Sequence, residues 1–370
     1  MKILQVCFKD PLVYKGGLES VIVGLSENLK KIGHDVDILC TTDNKNKEYI
    51  KNTSIGKIIL IKTPNFYFLG EKRNLIKKVI YNYKLKSFIK KNGYMYDIIH
   101  VHGDSGGCKI FRKFNTVATF HGFTASNPLY KNIFKRFFLY LFSARYEFNN
   151  LKYSKKITSV SKKVAEQIQN YTNKKINVVY NGIDLKKFNS FIYKTSMKKK
   201  LKFKKDNVYI LFVGTQAWRK GLDIALEAMN LLKNNRLRLN IIGLKTNKLN
   251  NNFVTFHGLL NEKQIIRYYK ASDIFIMPSR YEGFSIAVLE AMASGLPVIA
   301  SNNIGLDEII KNNFNGILIE NNPNELAKII KKLLINRKLL NKISYNSYQT
   351  SKKFDWANIV KKYIEIYNEI

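Results

Sequence analysis

Two glutamates, Glu282 and Glu290, frame the stretch of this sequence with the clearest chemical pattern. The short apolar run DIFIMPS precedes them and predicts a buried parallel strand that ends in turn residues. Residues Ser285 to Ser294 favour a helix, and Gly295 and Pro297 end it before a second strand, PVIAS. Glu282 is therefore predicted just before a helix and Glu290 inside it.

The start of this helix is suited to bind a phosphate. The first helical turn has unpaired backbone N–H groups and a partial positive charge, so Gly283, Phe284 and Ser285 are candidate ligands through their backbone. Carboxylates on either side of such a phosphate would accept hydrogen bonds from sugar hydroxyls, a pattern that suits a nucleotide sugar. On spacing alone, an ordinary loop acid and a solvated helix acid explain the two glutamates at least as well.

The run EGFSIAVLEAMASGLPVIAS closely resembles the Glu-x7-Glu segment of the retaining glycosyltransferase family 4, whose members have the two-domain GT-B fold. The resemblance implies that Glu282 contacts the donor sugar and that Glu290 contacts the ribose of the nucleotide. It covers nearly the whole chain, because further motifs match in order at Gly16-Gly17, His121-Gly122, Asn181-Gly182 and Lys220-Gly221.

The segment GTQAWRKG follows a predicted strand and offers the cations that a diphosphate needs. Gly214 permits the backbone to approach a diphosphate, and Arg219 and Lys220 are suited to neutralise the charge that grows on it as a sugar departs. In the family this loop commonly reads G-R-L-x-x-x-K-G, which makes Lys220 the matching lysine. Thr215 stands at the family's arginine position, so Arg219 is the candidate for the missing cation.

In the first half, a glycine pair and a histidine follow predicted strands. Gly16 and Gly17 lie where the first strand turns into the first helix, and they permit a phosphate or an acceptor hydroxyl to approach the backbone; a plain turn is the alternative. His121 ends a strand before Gly122, at the edge where open parallel sheets bind ligands. The resemblance implies that His121 lines the donor-sugar pocket and that the glycine pair, in a loop similar to the family's GG-x-E, also contacts the donor.

No metal site and no cofactor are predicted, with the nucleotide sugar as co-substrate. His100 and His102 alternate within the predicted strand IIHVH. A hydrogen-bonded core histidine is the favoured interpretation of His100, and His102 at the strand's exit stays open. No carboxylate or thiol set has suitable spacing for a metal. Asp35-Val36-Asp37 superficially matches a metal-holding Asp-x-Asp, but it resembles the family's second strand, GHxVxVL, in which the acids are only strand-entry residues.

The composition is that of a globular protein of about two domains. The 370 residues include 45% hydrophobic and 24% charged residues. Cys7, Cys40 and Cys108 lie far apart, which favours a reducing cytosol. The opening MKILQVCF is too short for a signal peptide, and no apolar run reaches the ~18 residues of a membrane span. We therefore expect a cytoplasmic protein, either soluble or peripheral on the inner face of the cytoplasmic membrane.

The charge is unusual, with 63 Lys and Arg against 27 Asp and Glu and a net charge of +36. Such a balance predicts an anionic partner, which is a phospholipid, a nucleic acid or a phosphorylated substrate. A uniform bias towards Lys, Asn and Ile accounts for part of it, but basic clusters stand out at residues 72–91, 131–156 and 198–205. The segment 127–153 also has aromatic residues at helical spacing, which indicates either a helix on an anionic membrane or a core helix of the first domain.

The alternation of strands and helices, together with the resemblance, implies an α/β chain of the GT-B class, with two Rossmann-like domains facing each other across a deep cleft. The acceptor-binding domain is predicted over residues 1–189, completed by a crossover helix at about 355–370, and the nucleotide-sugar-binding domain over 190–354. The boundary is placed at the polar, lysine-rich stretch 190–206.

The implied function is retaining, metal-independent transfer of a hexosyl group from a nucleotide sugar. UDP-sugars are the commonest donors among similar proteins, and the implied acceptor is a glycan or a lipid-linked glycan of cell-surface polysaccharide or lipopolysaccharide. Two alternatives stay open. A basic nucleic-acid-binding protein would explain the charge, although no recognised motif is found and no nucleic-acid partner is predicted. An inactive sugar-nucleotide or membrane adaptor of the same fold is favoured only by Thr215 and Ile304.

Overall fold

The computed structural model describes residues 1–14, 16–42, 49–64, 72–124, 144–188, 194–244, 253–302 and 305–370. Within these ranges the chain divides into two compact units. The first comprises Met1–Gly182 together with Trp356–Ile370, and the second comprises Ile183–Asp355. Ile304 and most of the predicted amphipathic segment 127–153 lie outside the described residues, and the end of that segment is the helix Arg145–Tyr153.

The helices alternate with strands along the described chain, as expected for an α/β protein. Those of the first unit are α1 (Gly17–Lys31), α2 (Lys72–Asn92), α3 (Arg145–Tyr153) and α4 (Lys162–Gln169). Those that follow are α5 (Leu185–Phe188), α6 (Lys194–Lys200), α7 (Leu222–Leu232), α8 (Glu262–Ala271), α9 (Ile286–Ala293), α10 (Pro323–Ile335), α11 (Arg337–Ser351) and α12 (Trp356–Asn368). Short 3-10 turns lie at Gly93–Met95, Lys109–Lys113 and Lys352–Phe354.

The first unit is built on one sheet, whose described strands are ordered β3-β4-β2-β1-β5-β6-β7-β8. Neighbouring strands are parallel, except for the antiparallel pair β3 and β4. The strands are β1 (Lys2–Lys9), β2 (Asp35–Thr42), β3 (Tyr49–Thr53), β4 (Gly56–Lys62), β5 (Ile98–His102), β6 (Thr116–Phe120), β7 (Lys156–Ser159) and β8 (Ile176–Val178). Every side chain of β5 and β6 is buried, as in a parallel strand covered on both faces.

The two acids of the Asp-x-Asp pattern have structural positions in β2. Asp35 is exposed at the start of the strand, and Asp37 is buried and accepts a 2.8 Å hydrogen bond from Tyr96 Oη. The two carboxylates therefore do not share one environment, in agreement with their interpretation as strand-entry residues.

The last helix, α12, belongs to the first unit because Trp356 anchors it there. A Cβ atom added at Gly24 or at Gly182 would lie 2.4 Å or 2.3 Å from the indole. Only glycine at both positions leaves room for the ring, so these three residues hold α12 against α1.

The second unit contains a parallel sheet whose described strands are ordered β11-β10-β9-β12-β13-β14. Its strands are β9 (Val208–Val213), β10 (Leu237–Ile242), β11 (Val254–Phe256), β12 (Ile274–Met277), β13 (Val298–Ser301) and β14 (Ile317–Ile319). Each unit thus has the parallel α/β sheet expected of a GT-B protein.

The division between the units lies after Gly182, ahead of the boundary predicted after residue 189. The reason is local pairing, since the Ile183 N–H donates to the Phe354 carbonyl at 2.8 Å and Ile183 forms a β-bridge with Asp355. The lysine-rich stretch is not a free linker in its described part, because Lys194 and Lys198 form ion pairs with Asp273 at 3.0 Å and 2.9 Å.

Among the described residues, no helix combines the length and the apolar character that crossing a bilayer requires.

Candidate functional site

The loops that follow two neighbouring strands, β9 and β12, are in direct backbone contact. The Arg280 N–H donates to the Arg219 carbonyl at 2.8 Å. Gly221 has a φ of +71°, and a Cβ there would lie 1.8 Å from the Pro278 carbonyl oxygen. Only glycine permits this approach, which brings the residues before Gly221 next to the loop that carries Glu282.

Glu282 is the centre of a buried charge cluster. Its side chain is 5% exposed, and its Oε1 lies 2.6 Å from Lys220 Nζ and 3.3 Å from Arg219 Nη1. The Ser279 hydroxyl donates to the same oxygen at 3.2 Å. Among the described residues, no donor reaches Oε2, so this oxygen is available to a ligand hydroxyl.

The two cations keep Glu282 ionised. Burial alone would raise the pKa of this carboxyl, but Lys220 and Arg219 together hold the pKa below its ordinary value. Arg219 is fixed in turn by a 3.0 Å hydrogen bond to the Tyr281 carbonyl and by a bond from Nε to the Gln216 side chain.

The cation predicted to replace the family's arginine therefore reaches the cluster from a different sequence position. Thr215 is exposed, whereas Arg219 contacts Glu282 directly. Gly214 lies against the stem of Lys220, since a Cβ there would be 2.8 Å from Lys220 Cγ.

Glu290 has a different environment from Glu282. It lies within α9, and its Oε2 accepts a 2.7 Å hydrogen bond from Tyr269 Oη in α8. Burial raises the pKa of Glu290 to about 7, although the Tyr269 bond acts in the opposite direction. Within the described part of the chain, its Oε1 has no donor, so this carboxyl also keeps one oxygen for a ligand.

The start of α9, from Gly283 to Ser285, is buried, and its N-cap side chain is not used for capping. Ser285 is the N-cap residue, but its side chain makes no capping hydrogen bond. Ser285 is 1% exposed, and its Oγ is a buried hydroxyl without a hydrogen-bond partner among the described residues. Gly283 faces Gly305, where a Cβ would lie 2.3 Å from the Gly283 carbonyl oxygen. Phe284 packs its ring on Phe354, so it can offer only backbone atoms to a ligand.

In the first unit, His121 belongs to a buried, uncharged network. His121 Nε2 is 3.1 Å from His102 Nδ1, and His102 Nε2 is 2.6 Å from Gln5 Oε1. Burial lowers the pKa of His121 to about 4 and that of His100 to about 3. His100 is hydrogen-bonded at both nitrogens, by Thr119 and Tyr367, which confirms its interpretation as a satisfied core histidine.

Gly16 is the N-cap of α1, and Gly17 is its first residue. A Cβ at Gly16 would lie 2.2 Å from Glu19 Oε2, so the Glu19 carboxylate is folded back over the helix start. A carboxylate there repels a phosphate. Of the two ligand groups that the sequence left open for this loop, the hydroxyl is therefore the better match.

The described residues place the predicted site residues in two groups. Glu282, Arg219, Lys220, Gly214, Glu290 and the α9 start at Gly283, Phe284 and Ser285 lie in the second unit, whereas Gly16, Gly17 and His121 lie in the first. The sequence did not single out Tyr269, Ser279 or Gln5, which bond to predicted residues from other elements. In the described residues, no group of three His, Cys, Asp or Glu side chains could hold a metal.

Comparisons with known proteins identify the family of this chain. Residues 15–187 match the family model of glycosyltransferase family 4, and residues 193–350 match that of the glycosyl transferases group 1. An uncharacterized glycosyltransferase of Methanocaldococcus jannaschii is 31% identical, covering 100% of this chain and 99% of the relative.

A second relative is the UDP-Gal:alpha-D-GlcNAc-diphosphoundecaprenol alpha-1,3-galactosyltransferase of Escherichia coli, which is 27% identical over 94% of this chain and 91% of its own. Among solved structures, sucrose-phosphate synthase from Thermosynechococcus elongatus has a TM-score of 0.85 at 19% identity, covering 100% of this chain and 98% of its own. That likeness confirms the predicted GT-B fold class. The alternatives of a nucleic-acid-binding protein and an inactive adaptor are not favoured by these relatives. The chain therefore belongs to the family 4 glycosyltransferases.

Proposed function

We propose that this chain is a retaining hexosyltransferase that moves a sugar from a UDP-sugar to a lipid-linked glycan acceptor. One observation carries the proposal: buried Glu282 is paired with Lys220 and Arg219, close in sequence to a helix start whose N-cap Ser285 makes no capping hydrogen bond. A nucleotide sugar has a diphosphate and two sugar rings, and this part of the molecule offers cations, the backbone N–H groups of a helix start and carboxylate oxygens.

Different groups of the second unit bind different parts of the donor. The diphosphate is bound by the backbone at Gly283 and Ser285 and by the Ser285 hydroxyl, which has no partner in the described part of the chain. The free oxygen of Glu282 accepts a hydroxyl of the transferred sugar, and the free oxygen of Glu290 accepts a hydroxyl of the ribose. The Tyr269 bond holds Glu290 in place for this contact.

The transfer step breaks the bond between the anomeric carbon and the diphosphate oxygen. The acceptor hydroxyl forms its bond to that carbon on the same face, so the anomeric configuration is retained, and the departing diphosphate takes the hydroxyl proton. Lys220 and Arg219 neutralise the charge that develops on the diphosphate. Because these side chains supply the positive charge, the proposed step uses neither a metal nor a cofactor.

The choice of donor and acceptor class follows the Escherichia coli relative, whose name specifies UDP-Gal and a diphosphoundecaprenol-linked sugar. A lipid-linked acceptor requires the enzyme to work at a membrane, and we place it on the cytoplasmic face as a peripheral protein. The basic helix α2 supports this location, because its outer face exposes Lys86, Lys90 and Tyr83. Binding to anionic phosphatidylglycerol vesicles that weakens as salt is added is the expected result, and equal binding to neutral vesicles would contradict it.

The proposed reaction is tested by screening nucleotides and then following the product. UDP is expected to raise the melting temperature of the protein more than ADP or GDP at equal concentration, because a ligand of the folded state stabilises it. With a matching UDP-hexose and a synthetic lipid diphosphate sugar, proton NMR is expected to show a product with the donor's anomeric configuration. EDTA is expected to leave the rate unchanged. An inverted product, or loss of transfer in EDTA, would contradict the proposed mechanism.

A further inference from the structure

Trp218 is an exposed aromatic side chain beside the candidate site of the second unit. It lies in the turn that follows β9, directly before Arg219 and Lys220. Trp218 is 58% exposed, whereas Trp356, the other tryptophan of the chain, is 5% exposed. Single exposed apolar residues are ordinary in proteins, but this one is held in place at the edge of a functional cluster.

Neighbouring side chains of this turn reach different partners. Arg219 and Lys220 contact the carboxylate of Glu282. The Trp218 ring instead packs against Arg280, whose guanidinium carbon lies over the indole, 4.8 Å from the ring centroid. No other ring or cation of the described residues stacks on this indole. Trp218 therefore lies outside the buried charge cluster, with its ring open to solvent.

Arg280 also fixes the orientation of Trp218. Its Nη1 donates to the Trp218 carbonyl at 2.6 Å and to Asp223 Oδ1 at 2.8 Å, and its Nη2 donates to Asp223 Oδ2 at 2.6 Å. The Gly221 N–H donates to the same Trp218 carbonyl at 3.2 Å. A bidentate arginine–carboxylate pair restricts geometry as well as balancing charge. The indole is thus ordered before a ligand arrives, which reduces the entropy that binding costs.

An ordered, exposed indole is suited to bind a pyranose ring. One face of a pyranose consists largely of C–H groups and is apolar, whereas the hydroxyls at its perimeter stay hydrated. The hydrogens of these C–H groups are slightly positive, so they are attracted to the negative face of an aromatic ring. Binding sites combine such an aromatic surface with a few polar groups that fix the orientation of the ligand.

The position of Trp218 distinguishes among the sugars of the proposed reaction. The two sugar rings of the donor are assigned to Glu282 and Glu290, and Trp218 contacts neither residue. The acceptor hydroxyl has to reach a sugar that Glu282 holds, so the acceptor comes to the edge of the same cluster. We propose that Trp218 is a binding residue for the acceptor and stacks on a pyranose ring of its glycan. The acceptor as the source of that ring rests on the proposed function.

Tryptophan fluorescence tests the sugar-binding surface on the free enzyme. Of the two tryptophans only Trp218 is exposed, so quenching by neutral acrylamide reports mainly on Trp218, and Trp218→Phe supplies the background signal. The probes are methyl pyranosides of common hexoses and N-acetylhexosamines, with the acyclic polyol sorbitol as control. At least one pyranoside is expected to protect Trp218 from acrylamide better than sorbitol does at equal concentration.

Protection by none of the pyranosides would overturn the inference. A blue shift of the Trp218 emission on phosphatidylglycerol vesicles, without protection by a pyranoside, would assign the indole to a membrane surface instead. Because neither donor nor transfer is involved, the fluorescence result is independent of the proposed reaction. Protection without measurable transfer would contradict the proposed function and not the sugar-binding surface.

Kinetic measurements connect the surface to the acceptor. Trp218→Ala removes the ring and is expected to raise the acceptor KM about tenfold, with little change in the donor KM or in kcat. Trp218→Phe keeps an aromatic face and should retain most of the affinity. The matched control is Tyr345→Ala, which removes another aromatic residue of the second unit with the same 58% exposure. An unchanged acceptor KM in Trp218→Ala, or an equal rise in the donor KM, would refute the acceptor assignment.

Discussion

The candidate site residues of the second unit form a cluster of charged side chains, whereas those of the first unit form a network of neutral hydrogen-bonded side chains. Both groups lie near the ends of parallel strands. Glu282 stays ionised in a buried position because Lys220 and Arg219 contact it. His102 is buried, His121 is half-buried, and neither has a carboxylate partner among the described residues, so burial lowers the pKa of both rings and they stay neutral. The same sheet architecture therefore provides one place suited to an anionic diphosphate and another suited to uncharged hydroxyls.

The largest expected effect comes from removing the closest cation. Lys220→Ala should lower turnover about 10² to 10³-fold, because a charge that stabilises the departing diphosphate is lost. Glu282 keeps its contact with Arg219 in this variant, so the fold is expected to survive. Steady-state kinetics with a UDP-sugar is the measurement. The matched control is Lys198→Ala, which breaks the ion pair with Asp273 in the same unit. Similar rates for both variants would contradict the role of Lys220.

A smaller loss of activity is expected when the second cation, Arg219, is removed. This variant tests whether Arg219 replaces the arginine that the family has at the position of Thr215. Arg219→Ala should lower kcat/KM about tenfold, in proportion to one charged hydrogen bond. Adding Thr215→Arg to this variant restores the family's own arginine and should recover part of the loss. The measurement is kcat/KM of the single and the double variant. A double variant no more active than Arg219→Ala would show that Arg219 does not replace the family's arginine.

The smallest expected effect is a pH dependence of the donor KM, which we attribute to the carboxyl group of Glu290 alone. The pKa of Glu290 is raised to about 7, so it is protonated below that pH and ionised above it. An ionised carboxylate is the stronger acceptor for ribose hydroxyls, so the donor KM should fall about fivefold as pH rises through 7.

The pKa of Glu282 is lowered, so Glu282 does not titrate in this range. Glu290→Gln should give a KM that is flat across the same pH range. A KM that changes equally in Glu290→Gln and in the unaltered protein would exclude Glu290 as the titrating group.

The members of the second unit's cluster lie in two short segments, which is why sequence patterns singled them out. The contact that joins the two segments, between Arg219 and Glu282 63 residues apart, was not predicted. Glu282, Ser285 and Glu290 belong to one strand–loop–helix segment, and Arg219 and Lys220 precede a glycine whose position fixes their loop. Tyr269 was missed because it reaches Glu290 from the preceding helix, α8, and no spacing rule links the two.

The network of the first unit was beyond the reach of sequence for a related reason. Gln5 and His102 lie in two strands and His121 follows a third, so they meet only through strand order and register, as when Gln5 pairs with His100. The hairpin of β3 and β4 and the short strand β11 were also missed. Strands β3 and β11 lie at sheet edges and are only five and three residues long, so neither shows a clear apolar pattern. Strand β4 lies inside the sheet, and its buried Ile58, Leu60 and Ile61 are a signal that the sequence did contain.

The packing of Trp356 between Gly24 and Gly182 has a consequence for folding during synthesis. On the ribosome, the first unit's sheet emerges early, but the indole that fills this gap follows only after the entire second unit has been synthesised. Tyr367, which bonds to His100, arrives on the same helix. The first unit thus acquires its finished core, including the hydrogen bond between Tyr367 and His100, only once translation has passed beyond the second.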